Sequence, residues 1–250
     1  MDENTKHWNS IAREYDSLIT RGDFFREHLL NPALYGLLPP LKGKRVLDAG
    51  CGQGYFSEMM RVKGAHVIGV DASESLISLA KEHYPESSAL MFATHDIRNP
   101  LHFFNASFDG VVSNMVFMDF NPIDSAFREI GRVTKQGGFF LFSILHPFFM
   151  LGEVHKHISE IFDLPHYELK RYATPFSKEW HVANTTHATT VYHRPLEYYA
   201  RMLSESGFTI TAIHEPTLSP SLLANRSNAE KLLSEIPMFL IIKAEKRKVE

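Results

Sequence analysis

Only one cysteine, Cys51, occurs in the 250 residues, so no intrachain disulfide can form. The same scarcity excludes a protein-bound iron–sulfur cluster, which needs several thiolates. Positive charge is not in excess: 26 lysines and arginines face 29 acids, for a formal net charge of -3. That balance lacks the basic footprint of a nucleic-acid binder. The short basic tail from Lys243 to Lys248 reads as a solvated end. No apolar run approaches the length that spans a bilayer. No proline- or serine-rich linker and no internal repeat divides the chain. The first residues are polar and charged, so no secretory signal is expected there. One domain over residues 1–250, a cytoplasmic location, and neither nucleic acid nor membrane as partner are the expectations. Histidine is plentiful, but His155 and His157 lie two apart, and His181 and His187 six apart. Neither is a zinc spacing, and no metal is expected.

Strands and helices alternate in what is present. Apolar runs predict strands at Arg45–Ala49, Val67–Val70, Ala89–Ala93, Gly110–Asn114, Phe139–Leu145, Thr209–Glu215 and Met238–Ala244. Helical segments fall between them at Tyr55–Lys63, Ser75–Glu82, Pro122–Val133 and Leu196–Glu205. This alternation predicts a parallel sheet covered on both faces, an α/β fold. Ser227 to Ile236 reads as a further short helix. Trp8, Ile11, Tyr15 and Leu18 have helical spacing, so residues 1–38 are expected to be N-terminal helices. Residues 146–194 form an insertion rich in aromatics and histidine. In open α/β sheets ligands bind beyond the carboxyl ends of the strands. The insertion leaves the fifth strand at that end and is expected to cap a substrate pocket.

The most telling segment is Val46-Leu47-Asp48-Ala49-Gly50-Cys51-Gly52-Gln53-Gly54, a buried strand breaking into a loop with glycine at every second position. Glycine there lets backbone approach a ligand where a Cβ would clash. The next strand, His66 to Val70, ends in Asp71. A carboxylate at that place commonly accepts hydrogen bonds from ribose hydroxyls. Together these predict an adenosine-containing cofactor across the strand ends. A dinucleotide fingerprint would carry a third glycine that is missing here, and Asp48 would repel a pyrophosphate while suiting an ammonium. S-adenosylmethionine has that ammonium, a sulfonium and no phosphate.

At these residues the chain resembles the class I S-adenosylmethionine-dependent methyltransferases of small-molecule type. Their motif has the form hydrophobic-Leu-Asp-x-Gly-Cys-Gly-x-Gly, matched at every defined position. Further segments follow in the family's order: Asp71, His95-Asp96-Ile97, Phe108 to Asn114, and Gln136-Gly137-Gly138 before Phe139 to Phe142. Asn9 to Tyr15 resembles the short helix that closes over the cofactor in many members. The resemblance implies a Rossmann-like, doubly wound, seven-stranded sheet, mostly parallel, with an antiparallel pair at one edge. It also implies S-adenosylmethionine as cofactor, with S-adenosylhomocysteine as product.

The resemblance assigns Asp48 and the backbone of Gly50, Gly52 and Gly54 to the methionine end, Asp71 to the ribose, Asp96 and Ile97 to the adenine, and Asn114 to the sulfonium side. Tyr15 would close over the cofactor, or else simply pack on its helix. Asp71 also reads as a helix cap, and Asp96 as a turn residue. His146, at the end of the fifth strand, is the leading proton acceptor; the competing reading is a hydrogen-bonded histidine that supports its loop. Tyr192 and His193, before Pro195, are candidates for the acceptor pocket. No Asn-Pro-Pro-Tyr or Asp-Pro-Pro-Tyr follows the fourth strand, which argues against methylation of a base amine. The expected function is methyl transfer to a small molecule by a monomer or homodimer. Alternatives are a non-catalytic cofactor-binding sensor or partner subunit, and a nicotinamide-dependent oxidoreductase.

Overall fold

Val46, Leu47, Asp48 and Ala49 are almost wholly shielded from solvent, and they make up most of β1 (Arg45–Ala49), an interior strand of the sheet in the computed structural model. Residues 3–151, 153–158, 165–181, 188–219, 221–222, 224 and 236–248 are described by the structure. A strand buried on both faces reads as a continuous apolar run, which is why β1 was visible in the sequence. It pairs in parallel with β2 (His66–Asp71) on one side and β4 (Phe108–Asn114) on the other. Outside these lie β3 (Leu90–Thr94) and β5 (Thr134–Leu145), also parallel. β11 (Phe239–Lys246) runs antiparallel to β5, and β10 (Phe208–His214) antiparallel to β11. The seven-stranded order is β10-β11-β5-β4-β1-β2-β3. Rossmann-like architecture with an antiparallel pair at one edge is therefore present as expected.

The order reverses between β1 and β4, so their carboxyl ends splay apart and leave a crevice. Helices α1 (Glu3–Arg21), α2 (Asn31–Leu37), α3 (Tyr55–Val62), α4 (Glu74–His83), α5 (Asp124–Val133) and α6 (Leu196–Glu205) accompany the sheet. The core is aromatic on the β4–β5 side: Phe117, Phe127, Phe140 and Phe142 are buried with ring centroids 4.7 to 5.9 Å apart.

α1 is docked, not loose. Ala12 packs with Leu76 and Leu79 of α4, flanked by Trp8 and Tyr15. Asn9 Oδ1 accepts hydrogen bonds from Ser73 Oγ at 2.7 Å and the Ser75 amide at 3.1 Å. Ser73 Oγ in turn caps α4 by accepting from the Leu76 amide. A π-helical turn, Arg26–Leu30, joins this region to α2.

The insertion carries strands that the sequence reading did not predict. It holds two antiparallel hairpins, β6 (Glu153–Ile158) with β7 (Pro165–Arg171) and β8 (Phe176–His181) with β9 (Ala188–His193). β5 also starts earlier than the predicted Phe139, because Thr134 pairs with Phe108 ahead of a register shift. The helix expected at Ser227–Ile236 falls almost wholly outside the described residues.

Candidate active site

The glycine loop opens directly from β1. The amides of Gly50 and Cys51 both donate to the Val70 carbonyl, at 2.8 and 3.0 Å, tying the loop to the end of β2. Gly50, Gly52 and Gly54 all have positive φ, at 83°, 56° and 88°. Their side-chain directions differ. A Cβ on Gly50 would lie 2.4 Å from Val116 Cγ2, and one on Gly54 would lie 2.8 Å from Phe92 Cζ. A Cβ on Gly52 would meet only Tyr15 Cε1, at 4.0 Å. Gly50 and Gly52 line a cavity at the crevice, and Gly54 does not. Gly54 owes its identity to the packing of α3 on the core, so the structure gives it no direct place in the site.

Asp71 joins the loop to α4. Its Oδ2 accepts the Gly52 amide and its Oδ1 the Ser73 amide, each at 2.9 Å. Burial raises its carboxyl above the usual range, opposed by these two hydrogen bonds. A carboxylate offers about four acceptor positions, so two amides leave room for two further donors. The helix-cap reading and the ligand reading of Asp71 are thus compatible.

The cavity that Asp71 faces is also lined by Tyr15, Asp96, Ile97 and Asn114. The structure brings these expected residues together. Asp96 is held by Arg98, whose Nε lies 2.8 and 2.9 Å from its two carboxylate oxygens. Asn114 donates to the Tyr55 hydroxyl at 2.6 Å and accepts from Ser143 at 2.6 Å. Met115, which follows, has φ of 61°, an unusual conformation for a non-glycine residue.

A smaller recess adjoins this cavity, with Asp48 and Arg26 among its walls. Asp48 is 1% exposed. Burial pushes its carboxyl up to about 7, with the Ser57 hydrogen bond opposing and Asp71 adding to the rise. Its Oδ1 has no hydrogen-bond partner among the described residues. Arg26 donates to the Tyr15 hydroxyl at 3.0 Å and sits over the rings of Tyr15 and Tyr55, at 5.6 and 5.2 Å from their centroids. It has no ion-pair partner among the described residues. The recess therefore has a half-buried cation and a buried acid among its walls.

A second cavity, of about 190 Å³, lies beside the first. Its walls include Leu18, Phe25, Met150, Trp180 and Val191, so α1 and the β8–β9 hairpin both contribute. Trp8, Tyr15, Met115 and Asp119 line both cavities and form the partition between them.

Three expected residues lie elsewhere. His146 is buried away from these cavities. Its Nδ1 accepts the amides of Phe148 and Phe149 at 3.2 and 3.4 Å, which leaves Nε2–H to donate to Glu215 at 2.7 Å. With both nitrogens engaged, His146 braces the exit from β5 and is not placed as a proton acceptor. His193 is buried, with Nε2 donating to the Tyr172 carbonyl at 2.6 Å. Tyr192 lines only a separate, outer polar cavity. Sequence reasoning missed Arg26, Met115 and Asp119. Only Met115 carried a local signal, its place directly after the strand that ends at Asn114.

Comparison with known proteins agrees with this geometry. A family profile described as a methyltransferase domain matches residues 47–142. A malonyl-[acyl-carrier protein] O-methyltransferase of Erwinia pyrifoliae is 42% identical over 106 residues, covering 42% of this chain and 39% of that protein. A ubiquinone biosynthesis O-methyltransferase of Hahella chejuensis is 34% identical over 146 residues, covering 55% and 61%. The chain thus spans about half the length of the curated relatives it matches. An S-adenosylmethionine-dependent methyltransferase of Mesorhizobium loti superposes with a TM-score of 0.73 at 26% identity, covering 86% of this chain and 96% of that one. The glycine loop, the sheet order and these matches agree on a methyltransferase domain, matched over residues 47–142, on a fold shared with S-adenosylmethionine-dependent methyltransferases.

Proposed function

We propose that this chain transfers a methyl group from S-adenosylmethionine to a small-molecule acceptor. The observation that carries the reading is the pair of cavities sharing one partition, the first built on the glycine loop and Asp71, the second largely apolar.

The residues present fit the cofactor. Only Gly52 has room for a Cβ on its cavity side, so that space is left for a ligand. The unpartnered Asp48 oxygen and the Arg26 guanidinium put an acceptor and a cation in one recess, partners for the ammonium and the carboxylate at the amino acid end of the cofactor. Asp71 retains acceptor capacity for ribose hydroxyls, while Ile97 and Asp96 would frame the adenine. When bound, S-adenosylmethionine supplies a methyl carbon activated by its sulfonium. The chain's own task is then alignment and exclusion of water. Orientation of this kind is worth roughly 7–11 kcal/mol, so no strong base is required. Tyr15 and Met115, in the partition, would fix where the two ligands meet. Residues 1–38 would serve as a lid and 146–194 as the acceptor cap of one working unit. We further propose a monomer or homodimer in the cytoplasm, where a lone cysteine stays reduced.

Calorimetric titration with S-adenosylmethionine and S-adenosylhomocysteine tests the reading, with Asp71→Ala as control. Micromolar binding that the variant loses is the expected result, followed by transfer of a labelled methyl to members of a small-molecule panel. Absence of binding to either form overturns the proposal. Binding with no transfer to any acceptor would favour a cofactor-binding sensor.

A further inference from the structure

Asp119 occupies an unusual position. It lines the cavity of the glycine loop, the apolar cavity beside it and the outer polar cavity. Its carboxyl group has no hydrogen-bond or ion-pair partner among the described residues. Burial, reinforced by the Asp71 carboxylate, pushes that carboxyl well above the ordinary range. A half-buried acid that faces three cavities without a partner has acceptor oxygens available to a ligand.

The backbone around it is held with care. Arg194, 1% exposed, donates to the carbonyls of Phe117 (2.8 Å) and Phe120, and to Asn121 Oδ1 at 3.0 Å. The Tyr192 amide takes the Met118 carbonyl at 2.7 Å. The Asp119 amide closes a turn on Val116 at 2.9 Å. The guanidinium's planar fork thus fixes the segment on both sides of Asp119, and it pairs with no carboxylate among the described residues. Around the second cavity the remaining surface is mostly thioether, indole and aliphatic. Of its other polar groups, the Asp23 carboxylate accepts the amides of Phe25 and Arg26, Thr189 donates to Asn4, and the Arg26 guanidinium donates to the Tyr15 hydroxyl.

We propose that Asp119 is the polar anchor for the methyl acceptor, accepting a hydrogen bond from a hydroxyl or amine on an otherwise apolar small molecule seated in the second cavity. Arg194 is its positioning residue. This rests on the methyltransferase reading and deepens it: the acceptor class is an apolar alcohol, phenol or amine.

The test uses the chain's only two tryptophans, Trp8 and Trp180, both of which line the second cavity. Their fluorescence reports binding of two probes with one alkyl chain: 1-octanol and octyl methyl ether. Wild-type protein is expected to prefer octanol to the ether by about 5- to 10-fold, the value of one net hydrogen bond. Asp119→Ala should bring the octanol-to-ether ratio near unity. Asp119→Asn keeps an acceptor oxygen and should restore the preference. Arg194→Lys keeps the charge but loses the fork, and should reduce the ratio while the alkyl chain still binds. Melting curves identify any variant that fails to fold, and the asparagine variant then carries the test. Equal affinity for alcohol and ether in the wild type, an unchanged ratio in Asp119→Ala, or no response to any probe overturns the assignment. Calorimetry with S-adenosylmethionine separates the two readings. Intact cofactor binding without alcohol preference removes only the role of Asp119, whereas absent cofactor binding removes both.

Discussion

Ser57 donates a 2.5 Å hydrogen bond to Asp48 beneath the glycine loop, and the other oxygen of that carboxyl has no partner among the described residues. Because burial raises the folded-state value to about 7, the folded chain keeps its proton where the unfolded chain has released it. Stability contributed by this group is therefore lost as pH rises from about 4 to 7, and the loss is complete above that window. Asp48→Asn should flatten that part of the pH–stability curve and raise the melting temperature at pH 8. The gain should be on the order of a few kcal/mol, accompanied by at least ~10-fold weaker cofactor binding as the charge is lost. Thermal melts across pH 4 to 8 decide it; parallel curves for variant and wild type would defeat the burial argument.

The three glycines of the loop should respond differently to alanine. Gly52 has open space on its cavity side, so Gly52→Ala should cost only the roughly 1–2 kcal/mol of a left-handed residue and act mainly on ligand binding. Gly54→Ala drives a methyl against Phe92 and Ala80, and Gly50→Ala drives one against Val116. Those two should lose stability more heavily, and Gly50→Ala should recover part of the loss when combined with Val116→Ala. Urea unfolding paired with calorimetry separates the two kinds of defect. A Gly52 variant that melts like the Gly54 variant would contradict the assignment of the free space.

How much of this was readable beforehand follows from the range of the interactions involved. β1, β2 and the glycine loop form one short stretch in which apolar run, loop and acid each have a local signature. The four strands of the insertion do not. β9 buries Thr189, Val191 and His193 on one side, a period-2 pattern too short to stand out among the neighbouring aromatics. Asp119 looks like any loop acid until Arg194, far along the chain, fixes its backbone. Arg26 lies in a turn without periodicity, and its role comes from Tyr15 and Tyr55 closing around it. His146 was placed at the right end of the right strand. What sequence could not supply was Glu215, which takes its Nε2–H.

Asp71 links two amides, so its substitution should show two separable effects. Asp71→Ala leaves the Gly52 and Ser73 amides without acceptors and should cost about 1–3 kcal/mol as well as cofactor affinity. Asp71→Asn keeps one carbonyl acceptor and the shape. It should retain more stability but still bind S-adenosylmethionine at least ~10-fold more weakly. Affinity equal to wild type in both variants would remove Asp71 from the ribose role.

His146 provides the sharpest contrast between sequence and structure. Burial lowers its pKa and Glu215 opposes the shift without reversing it. The folded state therefore prefers the neutral ring. Its stabilising contribution is complete above the unfolded value of about 6.5 and is lost as pH falls below that value through the lower folded one. His146→Ala should remove this acid-sensitive part and cost about 1–3 kcal/mol at neutral pH, since two amides and Glu215 lose their partner. His146→Gln, whose carbonyl oxygen accepts and whose amide group donates, should recover part of it. Once an acceptor is identified, the glutamine variant should keep its turnover within about 3-fold, because the ring nitrogens face the loop and Glu215, not the cavities. Loss of a true general base costs about 10²- to 10⁴-fold. A drop of that size in a variant that remains folded would return His146 to the chemistry and require the loop to open during turnover.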